Sequence, residues 1–429
     1  MLYQVHHPIK RRLIASLIFF FGILLFYCSP LSASDNQNAS PEFIATLDAL
    51  TLSPEDRDFL MNTESWIKEL ATGMDQKEAD AVIKLLKNPG RMKFATMAPM
   101  GTVWAKFIRE VPKDFEKKSG GIIGVDSYIG LSLGNDPDYV RKMASGALES
   151  AGLTSWGMKY ISKEMGVYEL PFIFETYGEA DYVMEKTWPY FVEKFREKGF
   201  YLIPAKMEVG FLQIFSTSII AKKPEDLTGT KYGSWMGPVE ITTMQKLGVN
   251  PVVITVAEVP SSLATNIIQT GSAMTMYMIG AQLMNFVKQG GGCSGINMFY
   301  PPGGLVLIRK SIENAALMNV PKGDRKYLSK YVDKGLEIYE NILVDMAPNL
   351  ARELREGNKI LIDNLQKKGM QLYIPTKEER DVWKKATRPL WDEMAGKQYS
   401  REILDLVLKH KADYRAAHPD EFENYVWTP

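Results

Sequence analysis

The sequence predicts an α/β fold with largely parallel sheets. Three observations carry this. Short apolar runs alternate with amphipathic helical stretches from about residue 91 onward. Apolar residues make up 45% of the 429-residue chain, enough for a large buried core and far from a disordered composition. No internal repeat of solenoid length appears, and the length suits two or three domains.

Taken in order, Ser53-Pro54-Glu55 reads as a helix cap with proline at the first helical position. Phe59, Leu60, Trp66, Ile67 and Leu70 continue at helical spacing. A second helix is expected over Gln76–Lys87, with Ala79, Val82, Ile83 and Leu86 on one face and Pro89-Gly90 as its stop. Residues 35–90 therefore read as a helical N-terminal extension. From Arg91 the texture changes. Strands are expected at 92–97, 122–128, 201–206 and 252–256, and helices at 104–118, 136–145, 177–198 and 261–270. Residues 311–417 are charged, amphipathic and strand-poor apart from Gln371-Leu372-Tyr373, which predicts three or four helices, several of them long.

The first 34 residues read as an export signal. Lys10, Arg11 and Arg12 precede an uncharged run of 14 residues, 13–26, followed by the small residues Leu31-Ser32-Ala33-Ser34. An uncleaved anchor would want a run of about 20. A lipid anchor on Cys28 would want a small residue where Tyr27 stands. Cleavage takes away three cations and no acids, so the balance of 51 cations and 51 acids becomes 48 minus 51, or −3. Such a balance argues against nucleic acid as a partner. With Cys28, His6 and His7 gone, Cys293, His410 and His418 remain, so no disulfide framework, metal site or cofactor is expected. The protein is expected in the periplasm.

Charge is unevenly spread. Residues 207–308 hold ten charged side chains in 102, against 24% for the whole chain, and no arginine occurs from Glu197 through Ile308. Polar and proline interruptions rule out a membrane span, so this reads as chain buried in a core and along a cleft. Gly290-Gly291-Gly292-Cys293-Ser294-Gly295 matches a dinucleotide-loop pattern, but Pro301-Pro302 forbids the helix that must follow, and a flexible interdomain loop is the expectation. Met274, Met276 and Met278 alternate with Thr275 and Tyr277, which predicts a strand with three methionines on one face. Thioethers would suit an adaptable apolar wall. No nucleophile motif accompanies the two remaining histidines, so no enzyme is expected.

Several stretches resemble the DctP-type solute receptors of tripartite ATP-independent periplasmic (TRAP) transporters. Tyr168-Glu169-Leu170-Pro171-Phe172-Ile173-Phe174 is similar to that family's "dLPFlF" segment. The run 221–231, with Pro224-Glu225-Asp226-Leu227-Thr228-Gly229, is similar to "tpeDLkGlKiR". Leu247-Gly248-Val249-Asn250-Pro251-Val252 is similar to "lGa.pv", and 257–271 to the "EvY.ALqtG" run. The resemblance spans roughly residues 92–400. It implies a two-lobe fold like that of periplasmic binding proteins, with long C-terminal helices. Lobe I would take 91–213 plus about 298–345, and lobe II 214–297 plus about 346–429. It also implies a small-molecule ligand and TRAP membrane permease subunits as partners.

The departures from the family pattern sharpen this. Leu212 and Gly233 occupy the places of the family's carboxylate-binding arginines, and Met274, Thr275, Tyr277 and Met278 those of its "DG.EN" segment. Bidentate guanidinium–carboxylate pairing is then missing. The expected ligand is apolar, or amphipathic with a neutral polar end. The expected wall residues are Trp104, Trp156, Phe172, Leu212, Gln213, Trp235, Met236, Met274, Met276, Tyr277 and Met278, with Gln213 and Tyr277 as hydrogen-bonding groups. The alternative is a periplasmic scaffold that has lost solute binding and docks another periplasmic protein through residues 54–88.

Overall fold

The computed structural model describes residues 39–367, 369–423, 425 and 427, so the signal segment expected at 1–34 lies outside the described residues. The chain divides into two compact units, Met1–Ala79 and Asp80–Pro429.

In the first unit the helices are α1 (Pro41–Asp48), α2 (Pro54–Met61) and α3 (Ser65–Ala71), and α4 (Gln76–Lys87) leads on from it. Ser40 and Ser53 cap α1 and α2 by accepting from the N–H of Phe43 and Asp56, each with proline at the first helical position. The single helix expected through Leu70 breaks at Asn62–Glu64. Asn62 and Thr63 are weak helix formers whose side chains bond back to Asp58 and Leu60 carbonyls. Phe43, Leu47, Leu60, Ile67 and Ala71 are buried.

The second unit holds two sheets. Strands β1 (Arg91–Thr96), β2 (Gly124–Ile129), β3 (Ser150–Thr154) and β4 (Tyr201–Leu202) are interleaved with α5 (Val103–Lys118), α6 (Asp136–Ala144), α7 (Ser155–Ile161) and α8 (Tyr177–Arg196). Then come β5 (Leu212–Ser216), β6 (Tyr232–Ser234), α9 (Pro238–Lys246), β7 (Val252–Val253), α10 (Val259–Ala264), β8 (Thr270–Ala273), α11 (Thr275–Gly280), β9 (Gly292–Phe299) and β10 (Gly303–Leu307). The chain ends with α12 (Arg309–Ala316), α13 (Ser329–Lys367), β11 (Gln371–Tyr373), α14 (Lys377–Thr387), α15 (Leu390–Met394), α16 (Arg401–Ala417) and α17 (Pro419–Glu423).

The first sheet runs β2-β1-β3-β10-β4 and the second β11-β9-β5-β8-β6-β7. Both are mixed rather than largely parallel. The β1, β2 and β3 pairings are parallel, but β10 lies antiparallel between β3 and β4, and β5 antiparallel between β8 and β9. The reversed strands β5 and β10 each follow a crossing between the sheets. One core packs β1, β3 and β10 against α6, α8 and, from the far end of the chain, Trp391, Leu404 and Val407. The C-terminal helices grouped with lobe II in the sequence thus contribute to the first core. The second sheet buries both faces, as period-two geometry requires: Ile214 points into one cluster and Phe215 into the other.

Two expectations fail locally. The Gly290–Gly295 run is not a flexible loop. It is a turn entering β9, whose residues are all buried. A Cβ on Gly291 or Gly292 would lie 2.3 Å from the carbonyl oxygen of Thr217 or Gln371, so glycine lets neighbouring backbones meet. The alternating methionines do not form a strand either. The strand ends at Ala273, Met274 precedes α11, and Met276 and Met278 are buried on that helix. Five residues are too few for period two to be told from period 3.6.

The 39-residue helix α13 ties the two halves together. Near its start Tyr339 packs on Phe115 of α5, with ring centres 5.0 Å apart, and near its end Leu365 joins the second sheet's cluster.

Candidate functional site

Between the two sheets lies a cavity of about 1020 Å³, its mouth included. Parallel strands β1 and β3 open into it at their C-terminal ends, the usual place for a ligand beside an α/β sheet. The first lobe supplies residues 96–99, Trp104, Phe107 and Ile108 of α5, 152–155, and 303–305. The second lobe supplies Trp235, Val256, Met274 and Tyr277. The crossings supply Met207, Glu208, Val209, Pro301 and Pro302, and α13 supplies Met346 and Leu350.

The wall is short of charge and of free hydrogen-bonding side chains. Among 25 lining residues there is no Lys, Arg or His. Trp104 Nε1 donates to the Glu208 carbonyl at 2.9 Å, and Trp235 Nε1 to the Ser272 carbonyl at 2.8 Å. Tyr277 Oη donates to the Val256 carbonyl at 2.6 Å. Ser155 Oγ donates to Glu169, Thr154 Oγ1 to Asp136, and Thr96 Oγ1 accepts from the Ala98 N–H. Each polar lining side chain is thus held by the protein.

Charge collects just behind this wall. The Glu208 carboxylate is buried and meets Arg355 at 2.6 Å, Lys206 at 3.0 Å and the Tyr300 hydroxyl at 2.6 Å. Arg355 also makes two 2.7 Å bonds to Asp181, a bidentate pair. Burial raises the Asp181 pKa, and the bonds and charges of Arg355 and Lys206 more than offset this, leaving it below the ordinary carboxylate range. Behind Ser155, Glu169 pairs with Lys159, whose ammonium also donates to the Met236 carbonyl at 2.5 Å. Behind Thr154, Asp136 is fully buried, and burial pushes its pKa up to about 7.

Of the residues expected at the wall, the structure brings Trp104, Trp235, Met274 and Tyr277 to the cavity. It places the others elsewhere. Phe172, Leu212 and Met236 fill the second sheet's core, and Met278 the cluster on its other face. Met276 is buried on α11 and Gln213 within β5. Trp156 stands edge-on to Tyr160 and covers Gly237. For Leu212 and Gln213 the reason is sheet pleating: β5 side chains face one side of the sheet or the other, and the cavity lies off the strand's end. A Cβ on Gly233 would come within 2.8 Å of Ile254 and Ile268, so this backbone too is packed shut. Sequence reasoning missed the other 21 lining residues, among them 96–99, 152–155, 207–209, Pro301-Pro302, Met346 and Leu350. The prolines gave a signal as helix breakers next to a low-charge stretch. Met346 and Leu350 gave none, since apolar residues four apart on an amphipathic helix read as core.

Comparison with known proteins bears on the fold. Residues 94–288 match the model of bacterial extracellular solute-binding protein, family 7 (DctP). The uncharacterized protein YiiZ of Salmonella typhimurium is 26% identical over 207 residues, 43% of this chain, which spans only 62% of that relative's length. The C4-dicarboxylate-binding periplasmic protein DctP of Rhodobacter capsulatus is 24% identical over 316 residues, covering 73% of this chain and 89% of that one. Among solved structures, the sugar acid binding protein DctPAm of Advenella mimigardefordensis with galactonate superposes with a TM-score of 0.66 at 18% identity, covering 76% and 99% of the two chains. A TRAP periplasmic solute binding protein of Ralstonia eutropha with bound (S)-2-acetolactate gives 0.65 at 20% identity, covering 75% and 98%. These likenesses are of fold.

Proposed function

On the premise that residues 94–288 are a family 7 solute-binding segment, we propose that the protein is the periplasmic receptor of a TRAP-type transporter, binding a small uncharged apolar or amphipathic solute between its lobes and delivering it to membrane permease subunits. It performs no chemistry on the solute. The observation that carries this reading is the cavity, whose 25 lining residues include no cation.

Relatives named for a ligand are named for acids such as C4-dicarboxylates and galactonate. A carboxylate in this cavity would be a buried charge without a partner, costing several kcal/mol. Lys159 and Arg355 are not available to it, being bound to Glu169 and to Asp181 and Glu208. Apolar surface, by contrast, gains roughly 25 cal/mol per Å² when a hydrophobic solute displaces water from it. A solute touching both lobes stabilises the closed arrangement, with α13 as the element common to both.

The test is a thermal-shift screen of delipidated protein against neutral hydrophobic compounds, succinate, galactonate and acetolactate, followed by native mass spectrometry. Neutral compounds are expected to raise the melting temperature by several degrees and the acids to leave it unchanged. A one-to-one complex with a small dicarboxylate or sugar acid would overturn the proposal.

A further inference from the structure

A second, smaller hollow of about 250 Å³, its open mouth included, adjoins the interlobe cavity in the first lobe. Ile108, Leu305 and Met346 line both, so they form the partition between them. Beyond it the walls are apolar: Phe94 and Val125 from β1 and β2, Val111 and Pro112 from α5, and Leu343 from α13. Two side chains there carry oxygen. The Tyr339 hydroxyl lies toward Ser150, whose own hydroxyl donates to the Lys93 carbonyl at 3.1 Å. The Ser127 hydroxyl is buried and has no partner among the described residues.

This arrangement is asymmetric. Every polar side chain lining the outer cavity is engaged with the protein, as shown above. The unengaged hydroxyl lies past the partition. A buried hydroxyl without a partner costs about 1–3 kcal/mol, which a ligand oxygen would recover. Sheet geometry fixes its place: Ser127 is the direct parallel partner of Phe94, so it sits mid-strand beside the ring that lines the same chamber.

We infer that the solute is a neutral, extended or polycyclic hydrocarbon carrying one hydroxyl or carbonyl oxygen, and that it binds oxygen-first. Its oxygen reaches Ser127 in the inner chamber, past Ile108, Leu305 and Met346. Its hydrocarbon body fills the outer cavity between Trp104 and Trp235. This rests on the reading of the interlobe cavity as the solute site.

Titrating the full-length mature protein by tryptophan fluorescence tests it, since Trp104 and Trp235 line the outer cavity. The probes are 1-decanol, 2-decanone and decane. The wild type is expected to prefer the two oxygenated probes over decane by roughly tenfold. Ser127→Ala keeps the chamber apolar and should erase that preference. Val125→Phe fills the inner chamber and should weaken 1-decanol and 2-decanone at least tenfold. Equal binding of decanol and decane, unaltered by S127A, would overturn the orientation and leave the apolar-receptor reading standing. Binding of succinate with no binding of any of the three probes would remove both.

Discussion

The outer cavity and the acidic cluster behind it are a few ångströms of backbone apart, and they solve opposite problems. Glu208 belongs to both. Its backbone carbonyl is spent on Trp104, at the cavity wall. Its carboxylate turns away to Arg355, Lys206 and Tyr300. The protein therefore buries charge readily where the complement is complete. A similar knot holds Glu175 and Glu179 with Arg415, Lys384 and Lys411. The lack of charge at the cavity is then a property of that site, not of a fold unable to bury ions.

The comparison is broken most severely by Arg355→Met. Glu208 and Asp181 would keep Lys206 but lose the Arg355 guanidinium, and a cost of up to about 3–5 kcal/mol in urea unfolding at pH 7 is expected. The double variant E208L/R355M should recover much of it, because an apolar pair replaces a broken ionic one. If the double variant is as unstable as the single, the cluster is not held by charge pairing.

Next in size is acid sensitivity. Burial raises the Glu175 pKa, but Lys411, Arg415 and Lys384 more than offset that and bring it to about 2. Its folded value thus lies below the unfolded one. The stabilisation is fully present above about pH 4.5 and is lost as pH falls toward 2, on the order of 3 kcal/mol. Glu175→Gln should start less stable at pH 7 and flatten the stability profile across that window. An acid limb with the same slope in both proteins would place the sensitivity elsewhere.

The smallest effect has the opposite sign. Burial raises Asp136 to about 7, so its favourable contribution is fully present below about pH 4 and is lost as pH rises to 7. Asp136→Asn should gain about 2 kcal/mol on the wild type between pH 5 and pH 8, allowing for the weaker bond an amide oxygen accepts from Thr154. A constant gap between the two proteins from pH 5 to 8 would show that Asp136 does not titrate there.

Much of the architecture could be read from the sequence because strands and long amphipathic helices carry strong periodicity. Ser53 caps a helix as Ser53-Pro54-Glu55 predicts. Sequence patterns failed where tertiary packing decides. Gly292 sits in a strand because Gln371 presses on it, and Met278 in a helix because β8 ends at Ala273. Of the eleven expected wall residues, four line the cavity, Trp104, Trp235, Met274 and Tyr277. The low-charge stretch 207–308 supplies 12 of its 25 lining residues. Which side chains face the void depends on pleat and on segments crossing from elsewhere, as with Met346 and Leu350. No local signal encodes that.

Gly233 and Leu212, the positions where the resemblance puts guanidinium groups in acid-binding relatives, are walled in, one by Ile254 and Ile268 and the other by the second sheet's core. An arginine placed at either would meet packed hydrocarbon before it met a solute. Installing a guanidinium there therefore takes concerted changes in several neighbours, and no single substitution at these two sites is enough to give the cavity a cation.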